Sequence, residues 1–118
     1  MTNPPLQPGR DHRVAAAEAA DMTRRHRSQA TVSGARAPEE GALGGMFSKQ
    51  SVLAMLSRND AQYLRYYHAR DASGKRTMVL VAADADGNDL IDGAGTQMLD
   101  HHFPCPPYCP TTASVLRG

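Results

Sequence analysis

This sequence has no tryptophan, and four tyrosines and two phenylalanines are the whole aromatic complement of its 118 residues. A core built from so few large side chains is modest. A chain of this length holds one domain, which buries roughly two thirds of the surface its unfolded form exposes. Charge of one sign is missing too. Thirteen basic residues face 12 acidic ones for a formal charge of +1, so no global field recruits nucleic acid, a membrane surface or an anionic substrate. Nor is there a long hydrophobic run: the longest strictly apolar stretch, Met78 to Ala83, falls far short of the roughly 20 residues of a membrane-spanning helix. The opening MTNPPLQPGRDHR carries no apolar segment after its charges, so no secretory signal is read and a cytoplasmic location is expected. Thiols stay reduced there, and the chain's two cysteines, close in sequence, point to metal binding or redox chemistry ahead of a structural staple. No Gly-rich phosphate loop, nucleophile elbow or cysteine with a separate orienting His and Asn can be assigned, which leaves enzymatic function without positive support.

What is there divides the chain into five parts. Residues 1–10, with three prolines and a glycine, suit neither helix nor central strand and read as an arm. Asp11 offers an N-cap to DHRVAAAEAADMTRRHRSQ, in which no Gly or Pro interrupts a run of strong helix formers, and a helix is expected from about His12 to Arg27 within an N-terminal segment 11–28. Its acids, Glu18 and Asp21, precede a basic end, Arg24 to Arg27, as the helix dipole favours. Its apolar stripe, Ala15, Ala19 and Met22, is narrow and small. Residues 29–45, rich in Gly, Ala and Ser, read as a linker.

The core is expected over 46–100. Ser48 is a good N-cap, Phe47 and Val52 flank it at the positions of a hydrophobic staple, and Asn59 supplies a stop. Val52, Leu53, Met55 and Leu56 would form the buried face of this second helix. The periodicity then changes. QYLRYYHARD and KRTMVLVAAD are β-rich runs separated by ASG, a hairpin signal. Met78 to Ala83, apolar at every position, is expected to be the central strand. ADGND gives a second turn, and Leu90–Ile91 and Gln97–Leu99 could add short strands. The predicted fold class is α+β, a small antiparallel sheet of three or four strands with two helices packed on one face. A Pro/Cys-rich strap, 101–118, follows.

DMTRRHR, GGMFSKQSVLAML, TMVLVAADADGND and FPCPPYC, taken in order, resemble a family of small uncharacterised bacterial proteins. That pattern has a helix with an MT..YR motif, a capped short helix, a strand like LVLVGVDANGND and a proline-flanked cysteine pair near the end. The resemblance spans roughly residues 15 to 110. It departs at His26, where the pattern has an aromatic, and at AAD in place of GVD. A single coherent domain is what it implies, and no activity comes with it.

The densest chemistry lies in LDHHFPCPPYCP, Leu99 to Pro110. Within it His101, His102, Cys105 and Cys109 offer two nitrogen and two sulfur donors, a set that suits zinc or copper. Zinc knuckles use backbone N–H groups after the first cysteine, and Pro106 and Pro107 have none to give. Copper(I) asks less, and CPPYCP resembles the Cys-Pro-x-x-Cys-Pro motif of Sco-type copper chaperones, although those have a thioredoxin-like fold and a distant histidine after the motif. A Cys105–Cys109 disulfide is sterically possible. The structural alternative is a stiff strap with Phe103 and Tyr108 docked on the domain. DADGNDLIDG places Asp84, Asp86 and Asn88 at alternating positions, but Asp89 and Gly95 stand where a calcium loop needs its Gly and bidentate Glu, so a plain turn is read. Arg24 to Arg27 read as a solvated helix end. Strand alternation separates Tyr66 from Tyr63 and Tyr67, with at least one of those faces expected in the core.

Two function classes follow. The first is a non-catalytic interaction or self-assembly protein, a homo-oligomer that uses the Ala15, Ala19, Met22 face, an exposed sheet edge, or both. The second is a copper- or zinc-thiolate or thiol-redox protein acting through Cys105 and Cys109. The stripe of alanines with one methionine, which needs another surface to become stably buried, favours the first.

Overall fold

A computed structural model of the chain describes residues 5–32, 43–91 and 97–117, with the side chains of 29–32 left aside. Its elements are α1 (Ala16–Val32), β1 (Gly44–Met46), α2 (Lys49–Leu56), β2 (Tyr63–Arg70), β3 (Arg76–Ala83), β4 (Met98–Leu99) and β5 (Phe103–Cys105). They form an α+β fold of two helices and two antiparallel sheets, one of order β2-β3-β4 and a smaller one of β1 with β5.

The hairpin β2–β3 forms where the alternating runs predict it, pairing Tyr63 with Ala83 through to Arg70 with Arg76. Asp71 closes its turn by accepting hydrogen bonds from the Ser73 and Lys75 amides, both at 2.9 Å. Gly74 takes φ 87°, a left-handed value that a side chain would resist. β3 is the central strand, flanked by β2 and by β4, whose Leu99 and Met98 oppose Leu80 and Val81. Leu80, Val81, Ala82 and Ala83 are all buried. Such continuous burial is open only to a strand covered on both faces, which explains its unbroken apolar run.

On one face, Leu80 and Ala82 join Met55 of α2 and Leu90 in the core, with Phe47, Val52, Leu56, Ala61, Met78 and Leu99 packed around them. The Ser48 side chain accepts from the Ser51 amide at 3.1 Å, so the expected cap starts α2. The helix ends sooner than Asn59 suggested, with Ser57 as C-cap. Leu53, expected in the buried face, is 56% exposed. Eight residues of helix present only about two turns, and Met55 with its neighbours Val52 and Leu56 already occupies the side facing the sheet.

The first helix departs further from expectation. Asp11 does not cap it: its carboxylate is held by the Arg13 amide and guanidinium at 2.8–3.1 Å. The helix starts at Ala16, with the Ala19 amide donating to the Ala15 carbonyl at 2.9 Å, and runs on to Val32, into the expected linker. Ala20 is its buried residue, with Thr23 and Arg27 partly covered. Extensive packing links α2 to β3 and β4 but joins α1 to no other element, so the expected pair of helices on one face is realised by α2 alone. Arg27 tethers α1 to the C-terminal segment by donating to the Leu116 carbonyl at 2.8 Å. The end of the expected linker also acquires structure, since Gly44–Met46 pairs with β5; residues 33–42 lie outside the described residues. The possible strand at Leu90–Ile91 reduces to one bridge between Ala83 and Asp89.

Asp84 organises the second turn by accepting from the Asp86 and Asn88 amides, both at 2.9 Å, with Gly87 at φ 84°. Two outcomes separate core from turn. Leu80→Asp unfolds the domain, because the charge lands in a packed layer, and Met55→Ala costs about 2–5 kcal/mol in urea denaturation. Asp84→Ala costs about 1 kcal/mol by losing its two amide bonds, while Asp86→Ala, whose side chain is exposed, leaves the midpoint nearly unchanged.

Candidate functional site

The strap is anchored through the small sheet. Gly44, Gly45 and Met46 oppose Cys105, Pro104 and Phe103, the Leu43 amide donates to the Cys105 carbonyl at 3.1 Å, and the Tyr108 amide donates to the Pro104 carbonyl at 2.7 Å. The Cys105–Pro106 and Pro106–Pro107 bonds are both cis, and the chain folds back so that Cys105 and Cys109 form a disulfide with Cα atoms 4.6 Å apart. Cys105 is buried and Cys109 partly covered. His102 lies with its ring centroid 6.0 Å from that of Phe47, a residue of the core periphery, and it passes so close over Gly45 that a Cβ there would overlap the imidazole. Strap, small sheet and core are thereby joined in one chain of contacts.

This arrangement does not gather the four expected donors. The two sulfurs are bonded to each other, so neither is a thiolate in this form. His101, at φ 56°, extends into solvent beside Asp100 at 3.4 Å, while His102 is laid on Phe47. Among the described residues, no three His, Cys, Asp or Glu side chains are grouped so as to hold a metal ion. Phe103 and Tyr108 are not docked on the domain either. They pack edge-to-face on each other with centroids 5.2 Å apart, and they remain 47% and 51% exposed. The short loop from Cys105 to Cys109 holds the strand and the turn against each other, and the two rings satisfy one another at the strap's outer surface.

On α1, Ala15 is exposed, Ala19 partly covered and Met22 52% exposed. The helix turns Ala20, Thr23 and Arg27 toward the body, which leaves the Ala15, Ala19, Met22 stripe pointing away from it. Val14, just before the helix, is 51% exposed as well.

A third feature was missed in the sequence. Pairing partners on an antiparallel hairpin share a face, so Leu64, Tyr66 and His68 lie on the same side as Ala82, Leu80 and Met78. α2 covers that side over β3 and β4 only. Over β2 it is open: Leu64 is 48% and Tyr66 57% exposed, and Tyr66 meets His68 edge-on at 5.5 Å. Period-two alternation could have located this row; that the short α2 would not reach it could not be read from composition.

The opposite face of β2 carries a polar cluster. Arg65 donates to Asp89 at 2.6 Å and to the Gly87 carbonyl at 2.8 Å, and the Tyr67 hydroxyl donates to the other Asp89 oxygen. The Tyr67 hydrogen bond, with the Arg65 guanidinium beside it, holds the Asp89 carboxyl below the usual carboxylate range. The same bond pushes the Tyr67 phenol up. The cluster clips the second turn to the outer strand.

No family model, curated protein or solved structure matches this chain. Among the described residues, no helix is long and apolar enough to cross a membrane.

The Asp89 clip has a pH signature. Because the folded carboxyl titrates below the unfolded one, its contribution is present above about pH 4, the ordinary aspartate range, and is lost as pH falls through the lower folded value. Asp89→Asn should therefore lower Tm at neutral pH, and the gap from wild type should close as the medium is acidified below that range. A gap that stayed constant with pH would assign the cluster no electrostatic role.

Proposed function

We propose that this protein is a non-catalytic interaction domain that associates with a second copy of itself through α1. One observation carries the reading: a 17-residue helix that packs extensively on no other element. A helix of that length is marginal in water without a tertiary partner. Its outward positions, Ala15, Ala19, Met22 and His26, recur at spacings of four, three and four, the seam spacing of paired helices, and the two alanines permit close approach. Charge selects the direction. Glu18 and Asp21 lie in the first half and Arg24 and Arg25 in the second, so antiparallel pairing brings Glu18 of one helix toward Arg25 of the other, whereas parallel pairing stacks like on like.

A second reading, soft-metal binding or thiol–disulfide chemistry at Cys105 and Cys109, is supported by the bonding-distance approach of the two sulfurs. Native mass spectrometry of protein purified without chelator separates the two readings. The first expects a dimer of the 12.7 kDa chain that reverts to monomer in Ala19→Glu and Met22→Lys with the far-UV spectrum of the sheet unchanged. The second expects bound copper or zinc, or a loss of two hydrogens that follows the redox buffer, abolished in the Cys105→Ser, Cys109→Ser double variant. A strictly monomeric wild type at high micromolar concentration overturns the first reading.

A further inference from the structure

The outer edge of β2 carries no paired strand among the described residues, so this eight-residue strand presents its outward N–H and C=O groups to whatever approaches. The adjoining face is the open row already described, Leu64, Tyr66, His68 and then Arg70. From one end to the other the row passes from apolar to cationic. At the hairpin end Arg70 stands directly opposite Arg76, a cross-strand pairing of like charges that is unfavourable by itself. Arg70 donates to the Gly74 carbonyl at 2.9 Å, which holds its guanidinium at the strand end.

Two hollows flank this strand. One, of about 490 Å³, lies between the N-terminal arm and the start of β2 and is bordered by Arg10, His12, Leu64 and Tyr66 among others. The other, of about 600 Å³, lies at the far end among His68, Arg70 and Arg76. Neither is lined by a carboxylate among the described residues. The nearby Arg65 is neutralised by Asp89 and does not contribute to this imbalance. In a chain whose net charge is only +1, cations without facing acids have been concentrated along one strand.

We propose that the open edge and face of β2 dock an extended acidic segment of a partner protein, which adds as a strand beside β2. Main-chain bonds to the free edge supply sequence-independent affinity. Alternate side chains of the segment fall on the row: an apolar one against Leu64 and Tyr66, and carboxylates toward His68, Arg70 and Arg76, where they relieve the like-charge pairing. The same charges disfavour a second copy of β2 as the occupant, since antiparallel pairing of two such strands would set cation against cation. A single-stranded nucleic acid would use Tyr66 and the cations but would leave the amide edge idle. This surface is separate from α1 and does not depend on self-association there.

The test uses the full chain and short labelled peptides that alternate Val with Glu or Val with Lys, together with a short oligo-dT strand. Anisotropy titration is expected to show the Val/Glu peptide binding, with an affinity that falls as salt rises, and the Val/Lys peptide not binding. Hydrogen exchange should slow at alternate amides of β2 in the complex. The Arg70→Glu, Arg76→Glu double variant should weaken binding by roughly tenfold or more, and Tyr66→Ser should weaken it with no change in charge. Ala19→Glu should bind as wild type does, whether or not α1 pairs. Equal binding of both peptides, tighter binding of oligo-dT, unchanged β2 exchange, or no binding of the acidic peptide would each overturn the proposal. So would protection of β2 that grows with protein concentration in the absence of peptide.

Discussion

Burial of β3 on both faces is the constraint on which the molecule rests. A strand with no solvent side cannot be satisfied by one neighbouring layer, so it recruits β2 and β4 along its edges and α2 across one face. The remaining large side chains are spread thinly. Met55 and Val81 are the largest that are fully buried among the described residues, and α2 is just long enough to cover the centre of the sheet. The open half of β2 follows directly: an eight-residue helix meets the core's demand over β3 and β4 and stops. Exposure there is the geometric remainder of a small core.

The same economy explains the position of α1. With the sheet face occupied by α2, the first helix retains one buried alanine and a tether from Arg27 to the C-terminal segment. Its outward stripe and the β2 row are different kinds of surface. The stripe is small, self-complementary in charge along its length and suited to another helix, while the row is mixed, cationic at one end and bordered by free backbone groups. A domain with two such surfaces on separate elements has the layout of a connector, in which association at one face leaves the other accessible.

Local signals were legible wherever short-range chemistry decides structure. Ser48 as a cap, ASG as a hairpin turn, Met78 to Ala83 as the central strand and the Asp84 turn all depend on a few adjacent residues, and all formed where the sequence placed them. Failures came where distant residues compete. Asp11 looked like a cap but found Arg13. Gly44 and Gly45 looked like linker but pair with a strand far along the chain, where the absence of a side chain at Gly45 makes room for His102. Phe103 and Tyr108 looked like anchors but found each other. In the candidate site the closeness of the two cysteines was readable from their spacing, whereas the separation of His101 from His102 required the backbone at His101 to turn left-handed.

The small sheet also sets how the molecule bears tension. β1 follows α1 and its connection, and β5 leads into the C-terminal tail; Gly44 and Cys105 face each other at the same end of the ladder. Force transmitted from a helix-paired neighbour to the C-terminal tail therefore pulls the two strands apart rung by rung, beginning at the Leu43–Cys105 bond, and does not shear them together. The β2–β3 hairpin and α2 lie inside the loop closed by that ladder, so it works as a mechanical fuse. It yields first, lengthens the path between neighbours, and leaves the doubly buried strand intact.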